Sequence, residues 1–257
     1  MAKAKTAIAH KPVWADLSSQ DAAGSREFYA KLFGWKVEVS PDPQYGGYAT
    51  AKIGGKDVAG IGPAMGEEQP TAWTVYIGSS DAADTAKKAE AAGGKVVVAP
   101  MEVGDQGTMV VIQDPTGAFL GVWQPKNMSG FQEGQANSFG WAELWSRGIE
   151  KATPFYTKVF GWGTKKSEMG NTPYTEFLAS GESIAGGMEM DPMVPAEVPS
   201  YWLVYFNVGD VDQAFKKAKD AGAKEMLAPQ DFPGGRFAIV SDPQGATFGL
   251  LKMKAQH

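Results

Sequence analysis

Two short words of this 257-residue chain place an acid two residues after a tryptophan: "VWADLSS" at 13–19 and "GWAELWS" at 140–146. On an extended strand, residues i and i+2 share a face. Trp14 and Asp16 therefore project together, as do Trp141, Glu143 and Trp145. A carboxylate in an apolar setting can have its pKa raised into the range of a general base. Indole faces stack on flat molecules and attract cations, each contact contributing on the order of 0.5–2 kcal/mol. The structural alternative is plain. The rings can fill a core, and each acid can accept a backbone N–H or a tryptophan Nε1–H.

Other chemistry is largely excluded. There is no cysteine, so disulfides, thiolate metal sites and a cysteine nucleophile are out. There are two histidines, His10 ahead of the first strand and His257 at the last position, both expected in mobile ends. Catalytic zinc and iron sites usually need imidazole. "GIGPAMG" (60–66) does not fit a dinucleotide loop, the two "GGK" words (54–56, 93–95) are not phosphate loops, and no G-x-S-x-G occurs. Glu189 could join Glu143 in an oxygen site for a hard cation, but an exposed strand end is the favoured expectation. The net charge of −5 argues against nucleic acid or an anionic membrane as partner. With no apolar run of about 18 residues and no signal-like leader, a soluble cytoplasmic protein is expected.

The elements that must carry these residues are written twice. "FYAKLFGW" (28–35) returns as "FYTKVFGW" (155–162), 155 − 28 = 127 residues later. "YATAKIGGKDVAGI" (48–61) answers to "YTEFLASGESIAGG" (174–187), and "AWTVYI" (72–77) to "YWLVYF" (201–206). "VVIQDPTGAFLGV" (110–122) answers to "AIVSDPQGATFGL" (238–250). Two homologous halves follow: domain 1 over 1–126, a polar linker over 127–137, domain 2 over 138–257. Each half reads as two β-α-β-β-β units. Asp21 is a plausible N-cap and Gly34 a C-terminal stop for the first helix. Gly54-Gly55 supplies a hairpin turn, and the Asp-Pro-x-Gly words at 114–117 and 242–245 suit type I turns.

Paired βαβββ units, "FY..LFGW" after the first strand and "DPxG" before the last resemble the glyoxalase / bleomycin-resistance / extradiol-dioxygenase superfamily (vicinal oxygen chelate fold), and the tandem layout resembles its CFP32-like glyoxalase-related members. The resemblance covers nearly all of both halves. It implies an α+β fold: four βαβββ units forming two glyoxalase-like domains whose mixed sheets curl into cups. Enzymes of the family chelate a divalent metal there. The matching first-strand places are Trp14 and Trp141, the second-unit places fall at or beside Thr74 and Leu203, the last-strand places are Gly121 and Gly249, and the hairpin-strand places fall near Ile61 and Gly187. None can hold a metal through its side chain, so no metal and no other cofactor is expected.

The expected cup lining is Trp14, Trp73, Trp123, Trp141, Trp145 and Trp202, with Gly121 and Gly249 marking close approach by a ligand or a neighbouring ring and Tyr48 and Tyr174 reaching the rim. Asp16 and Glu143 are the candidate catalytic groups. Two functions follow. One is a metal-free protein that sequesters or senses an aromatic or amphipathic small molecule. The other is a glyoxalase-type lyase, isomerase or hydroxylase-like enzyme using a cup carboxylate or a bound divalent metal. A small-molecule ligand is the expected partner, and a fused pseudo-dimer can be a monomer or a homodimer.

Overall fold

A computed structural model of the chain describes residues 10–131 and 136–254; His257 lies outside them. The first half runs β1 (Pro12–Ser19), α1 (Ala22–Phe33), β2 (Lys36–Val39), β3 (Ala49–Ile53), β4 (Lys56–Pro63), β5 (Ala72–Gly78), α2 (Ala82–Ala91), β6 (Lys95–Val103), β7 (Gly107–Gln113) and β8 (Phe119–Pro125). The second runs β9 (Phe139–Ser146), α3 (Ile149–Phe160), β10 (Gly163–Met169), β11 (Thr172–Ala179), β12 (Glu182–Glu189), β13 (Tyr201–Asn207), α4 (Val211–Asp220), β14 (Lys224–Phe232), β15 (Gly235–Ser241) and β16 (Thr247–Met253). The four βαβββ units of an α+β fold are all present. The strands form two eight-stranded mixed sheets, ordered β2-β3-β4-β1-β5-β8-β7-β6 and β10-β11-β12-β9-β13-β16-β15-β14.

The local signals act as their chemistry dictates. The Asp21 carboxylate accepts from Gly24 N at 2.9 Å, and Gly34 ends α1 at φ 72°. Gly54 and Gly55, at φ 56° and 80°, make the tight β3–β4 turn that only positive-φ residues make cheaply. In the second half Ser180 takes the first of those places at φ 52°. Helix α3 starts at Gly148, which has no capping side chain; Glu189, at the end of β12, accepts from Ile149 N at 2.8 Å instead. That is the role of the acid that could have joined a cation site: it satisfies an orphan N–H at a helix N-terminus.

The chain packs as two compact units, and neither follows a sequence half. One joins the stretch ending at Trp14 to Val75–Gly130 and Ala142–Trp202. The other joins Ala15–Thr74 to Phe131–Trp141 and the stretch from Leu203 onward. In the first, α2 packs on α3; in the second, α1 packs on α4, where Lys217 Nζ donates to the Leu32 carbonyl at 2.9 Å.

Each unit has an aromatic core built from the repeated words. In the second unit Tyr29 stacks on Trp35 (5.7 Å, 19°) and meets Trp73 edge-on (5.2 Å, 85°), with Phe33, Phe206 and Phe248 around them. In the first, Tyr156 stacks on Trp162 (5.6 Å, 18°) and meets Trp202 edge-on (5.3 Å, 89°), with Phe160 and Phe177 alongside. Trp162 Nε1 donates to the His10 carbonyl at 2.5 Å and Trp35 Nε1 to the Asn137 carbonyl at 2.7 Å. His10 N donates to Gly78 O at 2.7 Å and Asn137 N to Asn207 O at 2.8 Å, both residues at positive φ. His10 is therefore no free end. Its backbone is a fixed corner ahead of β1, and partial burial followed by the nearby Lys88 charge lowers its pKa.

Candidate functional site

Strand alternation divides each first strand into a helix-facing and an outward set. Ser19 Oγ bonds Ser25 Oγ of α1 at 2.8 Å, so Ala15, Leu17 and Ser19 face the helix and Trp14, Asp16 and Ser18 face away. Leu144 packs with Gly187 near Ile149 of α3, so Trp141, Glu143 and Trp145 face away. On β8, Gln124 Oε1 accepts from Ala82 N at 2.9 Å, which turns Gly121 and Trp123 outward.

In the first unit the outward face of β9–β12 carries a buried acid in a defined setting. Glu143 is 3% exposed. It accepts from Trp145 Nε1 at 2.7 Å and from Tyr174 OH at 2.9 Å. Tyr174 reaches it by lying over Gly186, directly across from Glu143 in the parallel β9–β12 ladder; a Cβ on Gly186 would sit 1.9 Å from the Tyr174 hydroxyl oxygen. Trp145 pairs with Met188 and stacks on Tyr201, centroids 6.2 Å apart at 15°. Burial first, and then the Glu143 charge, push the Tyr201 phenol up to about 12. The segment leading to Tyr201 is held by Arg147, whose Nε donates to Val198 O at 2.8 Å and whose Nη2 donates to Pro195 O at 2.5 Å.

The second unit repeats the arrangement with different occupants. Asp16 pairs with Gly60 and Ser18 with Gly62. Tyr48 lies over both glycines: a Cβ would come within 1.7 Å of its hydroxyl at Gly60 and 2.9 Å of its ring at Gly62. Asp16, Ser18, Tyr48, Ala72 and Thr74 are part-exposed. Tyr48 and Tyr174 thus lie inside their faces, over the hairpin glycines, and not at a rim.

The other expected residues are scattered. Trp14 is buried on the outward set of β1, and Trp141 is half-buried. Trp123 packs on Gly107 and donates Nε1 to Met128 O at 2.9 Å. Trp73 and Trp202, expected in the cup lining, lie elsewhere. They stand on the helix-facing side, in the aromatic cores, and donate Nε1 to Tyr29 OH and Tyr156 OH at 2.8 Å each. Their neighbours Thr74 and Leu203 face outward instead, as alternation from the edge-on tyrosine contacts requires. Gly121 and Gly249 do mark close approach, and the approaching group is a ring of the chain itself. A Cβ on Gly121 would lie 2.2 Å from the Tyr76 ring, and one on Gly249 1.9 Å from the Tyr205 ring. Tyr76, Tyr205, Tyr201 and Met188 join the outward faces without standing in any of the expected places. The signal for the tyrosines was present, since Tyr76 and Tyr205 stand two residues beyond Thr74 and Leu203 in matching words.

This donor set does not fit a metal. The last-strand places are glycines sealed under phenol rings, and at the hairpin-strand places Ile61 is fully buried and Gly187 faces Leu144, Ile149 and Phe177. Among the described residues no three of His, Asp and Glu stand together as a metal-holding group.

Residues 11–122 and 138–250 each match the Glyoxalase/Bleomycin resistance protein/Dioxygenase superfamily, and the chain belongs to that superfamily. It is 36% identical over 251 residues to "Putative glyoxylase CFP32" of Mycobacterium tuberculosis (strain CDC 1551 / Oshkosh), covering 95% of both chains. It is 35% identical over 258 residues to "Anthracycline biosynthesis protein DnrV" of Streptomyces peucetius, covering 95% of this chain and 93% of that one. Among solved structures, the Mn(II)-bound glyoxalase from Novosphingobium aromaticivorans superposes with a TM-score of 0.65 at 18% identity, over 95% of this chain and 82% of that one. The 2,3-dioxygenase LapB from Pseudomonas sp. KL28 superposes with a TM-score of 0.66 at 14% identity, over 97% and 95%. These two share the fold. No helix among the described residues is long and apolar enough to cross a membrane.

Proposed function

We propose that this protein is a metal-independent binder of small aromatic molecules. The observation that carries the reading is the Glu143 cluster. There a carboxylate on the outward face, fixed through its other oxygen by a tyrosine hydroxyl, accepts the N–H of a flat ring, and a second ring stacks on that one. A face that seats an indole in this way has the chemistry to seat a flat ligand with one polar donor. The family's metal-ligand places support the same reading, because glycine and tryptophan stand there instead of histidine and glutamate. One relative's name ties it to the biosynthesis of anthracyclines, which are flat fused-ring compounds, and this suits an aromatic ligand class.

The test is isothermal titration of the full-length protein with indole, catechol and 1,4-dihydroxyanthraquinone, in buffer containing EDTA. Binding tighter than millimolar by at least one of them is the expected result. Millimolar or weaker binding by all three, or binding that appears only when Mn²⁺, Fe²⁺ or Zn²⁺ is supplied, overturns the reading.

A further inference from the structure

The two halves place a carboxylate and a tyrosine alike around a hairpin glycine, but where the second half sets Trp145, whose N–H the carboxylate accepts, the first half has Ser18. Asp16 and Tyr48 over Gly60 match Glu143 and Tyr174 over Gly186, position for position. Around Glu143 the positions beside the pair are Trp145, Met188 and Tyr201. The matching positions around Asp16 are Ser18, Gly62 and Ala72. In each case the first two are direct ladder partners, Trp145 with Met188 and Ser18 with Gly62. An indole, a thioether chain and a phenol have thus been replaced by a hydroxymethyl group, a hydrogen and a methyl group, all on one face. The two acids differ accordingly: Glu143 is 3% exposed beneath its indole, while Asp16 is part-exposed.

We propose that the ligand face of this protein is that of the first half, around Asp16, Ser18, Gly62 and Ala72, and that its ligand takes the place Trp145 occupies in the second half. The occupant is then a planar aromatic molecule with an N–H or O–H group aimed at the Asp16 carboxylate. Small residues alone would not carry this. What carries it is that the acid and the tyrosine over the hairpin glycine are retained while Ser18 stands where the second half has the indole its acid holds. A carboxylate has about four acceptor positions, so Asp16 can take a ligand donor in addition to its contacts within the protein. Aspartate is one methylene shorter than glutamate, which leaves room for a ring broader than indole. The second-half face is then occupied by its own side chains. This inference rests on the aromatic-binding reading and adds which face binds and what shape it accepts.

The experiment is isothermal titration of the full-length protein with 1,4-dihydroxyanthraquinone and with indole, comparing wild type with Ser18→Trp, Ala72→Tyr and Asp16→Asn. Thermal unfolding checks that each variant folds. The expected wild-type stoichiometry is one. Ser18→Trp and Ala72→Tyr, which rebuild the second half's filling, should each weaken binding at least tenfold, and Asp16→Asn should weaken it severalfold. If Ser18→Trp fails to fold, Ala72→Tyr and Asp16→Asn decide. Wild-type binding that survives the filling variants overturns the assignment while leaving the binding reading standing. No binding by the wild type overturns both.

Discussion

Tyr29 of the first half donates its hydroxyl hydrogen to Asp242 of the second at 2.9 Å, and Tyr156 of the second half donates to Asp114 of the first at 2.8 Å. The tyrosine belongs to the "FY" word and the aspartate to the "DPxG" word. Each aspartate also holds its own turn: Asp114 Oδ1 accepts from Thr116 N and Ala118 N at 2.7 and 3.0 Å, and Asp242 Oδ1 from Gln244 N and Ala246 N at 2.9 and 2.8 Å. Each tyrosine oxygen accepts the tryptophan N–H from the strand above it, so a chain Trp–Tyr–Asp runs through each core. The repeated motifs of this sequence are therefore halves of two buried clasps, each closed by the other half of the chain.

Removing the hydroxyl tests the clasps. Tyr29→Phe leaves Trp73 Nε1 without its acceptor and Asp242 Oδ2 without this donor, both in buried surroundings. The expected loss is about 1–3 kcal/mol, the usual penalty for a buried polar group stripped of its partner. Tyr156→Phe should cost a similar amount through Trp202 and Asp114. Urea denaturation followed by far-ultraviolet circular dichroism measures both; a loss below a few tenths of a kcal/mol in either contradicts the clasp.

Alkaline stability follows from the same pair. Burial first, and the neighbouring aspartate charge second, raise the Tyr29 and Tyr156 phenols well above 10. The folded chain then holds two protons that the unfolded chain releases near pH 10. Their contribution to stability is complete below that pH and is lost above it, by about 1.4 kcal/mol per pH unit per tyrosine. Of the eight tyrosines, these two should ionise only with unfolding when absorbance at 295 nm is followed from pH 9 to 13. Tyr201, pushed up to about 12, should titrate before them. Early ionisation of all eight would contradict this. Asp242, raised by burial, works in the same direction in acid: its contribution is present below about pH 4 and falls as pH rises through its raised value.

Much of this architecture could be read from the sequence because the motifs are local. The Asp21 cap, the Gly54-Gly55 hairpin and the Asp-Pro-x-Gly turns depend on neighbours a few residues away, and repetition doubled each signal. The sidedness of Trp73 and Trp202 could not be read in the same way. A strand's alternation says which residues share a face but not which face meets the helices. That was decided by Tyr29 and Tyr156, which are distant in sequence. The cross-half pairing was hidden for the same reason, since either half offers both a tyrosine and an aspartate. The Asp16 and Glu143 positions could be read because each follows a tryptophan on a first strand; that Tyr48 and Tyr174 lie over the glycines facing those acids, and not at a rim, depends on the registers that put Gly60 and Gly186 opposite them.

The last-strand glycines give a third test. Gly249→Ala places a methyl group 1.9 Å from the Tyr205 ring, and Gly121→Ala places one 2.2 Å from Tyr76. Neither ring has a cheap way aside in a packed sheet. A loss of about 1–3 kcal/mol per substitution is expected from overpacking, read from the denaturation midpoint. A neutral result at both would mean the rings are loosely held and the seal over the family's metal place is not real.

The Glu143 cluster is tested by Tyr174→Phe and Trp145→Phe, which each remove one donor to a buried carboxylate. Each should cost about 1–3 kcal/mol, more than an exposed carboxylate's loss of one donor, because water cannot replace the bond at 3% exposure. Glu143→Gln should lower the Tyr201 pKa from about 12 but keep it above its ordinary value, since burial is the larger cause.

The most direct measurement of the central claim is the dependence of aromatic binding on metal. Full-length protein stripped with EDTA is titrated with 1,4-dihydroxyanthraquinone, then titrated again after adding Mn²⁺, Fe²⁺ or Zn²⁺. Sub-millimolar binding with the same affinity in every arm is the predicted result. Binding that needs a metal, together with a stoichiometric metal retained after gel filtration, would contradict the account.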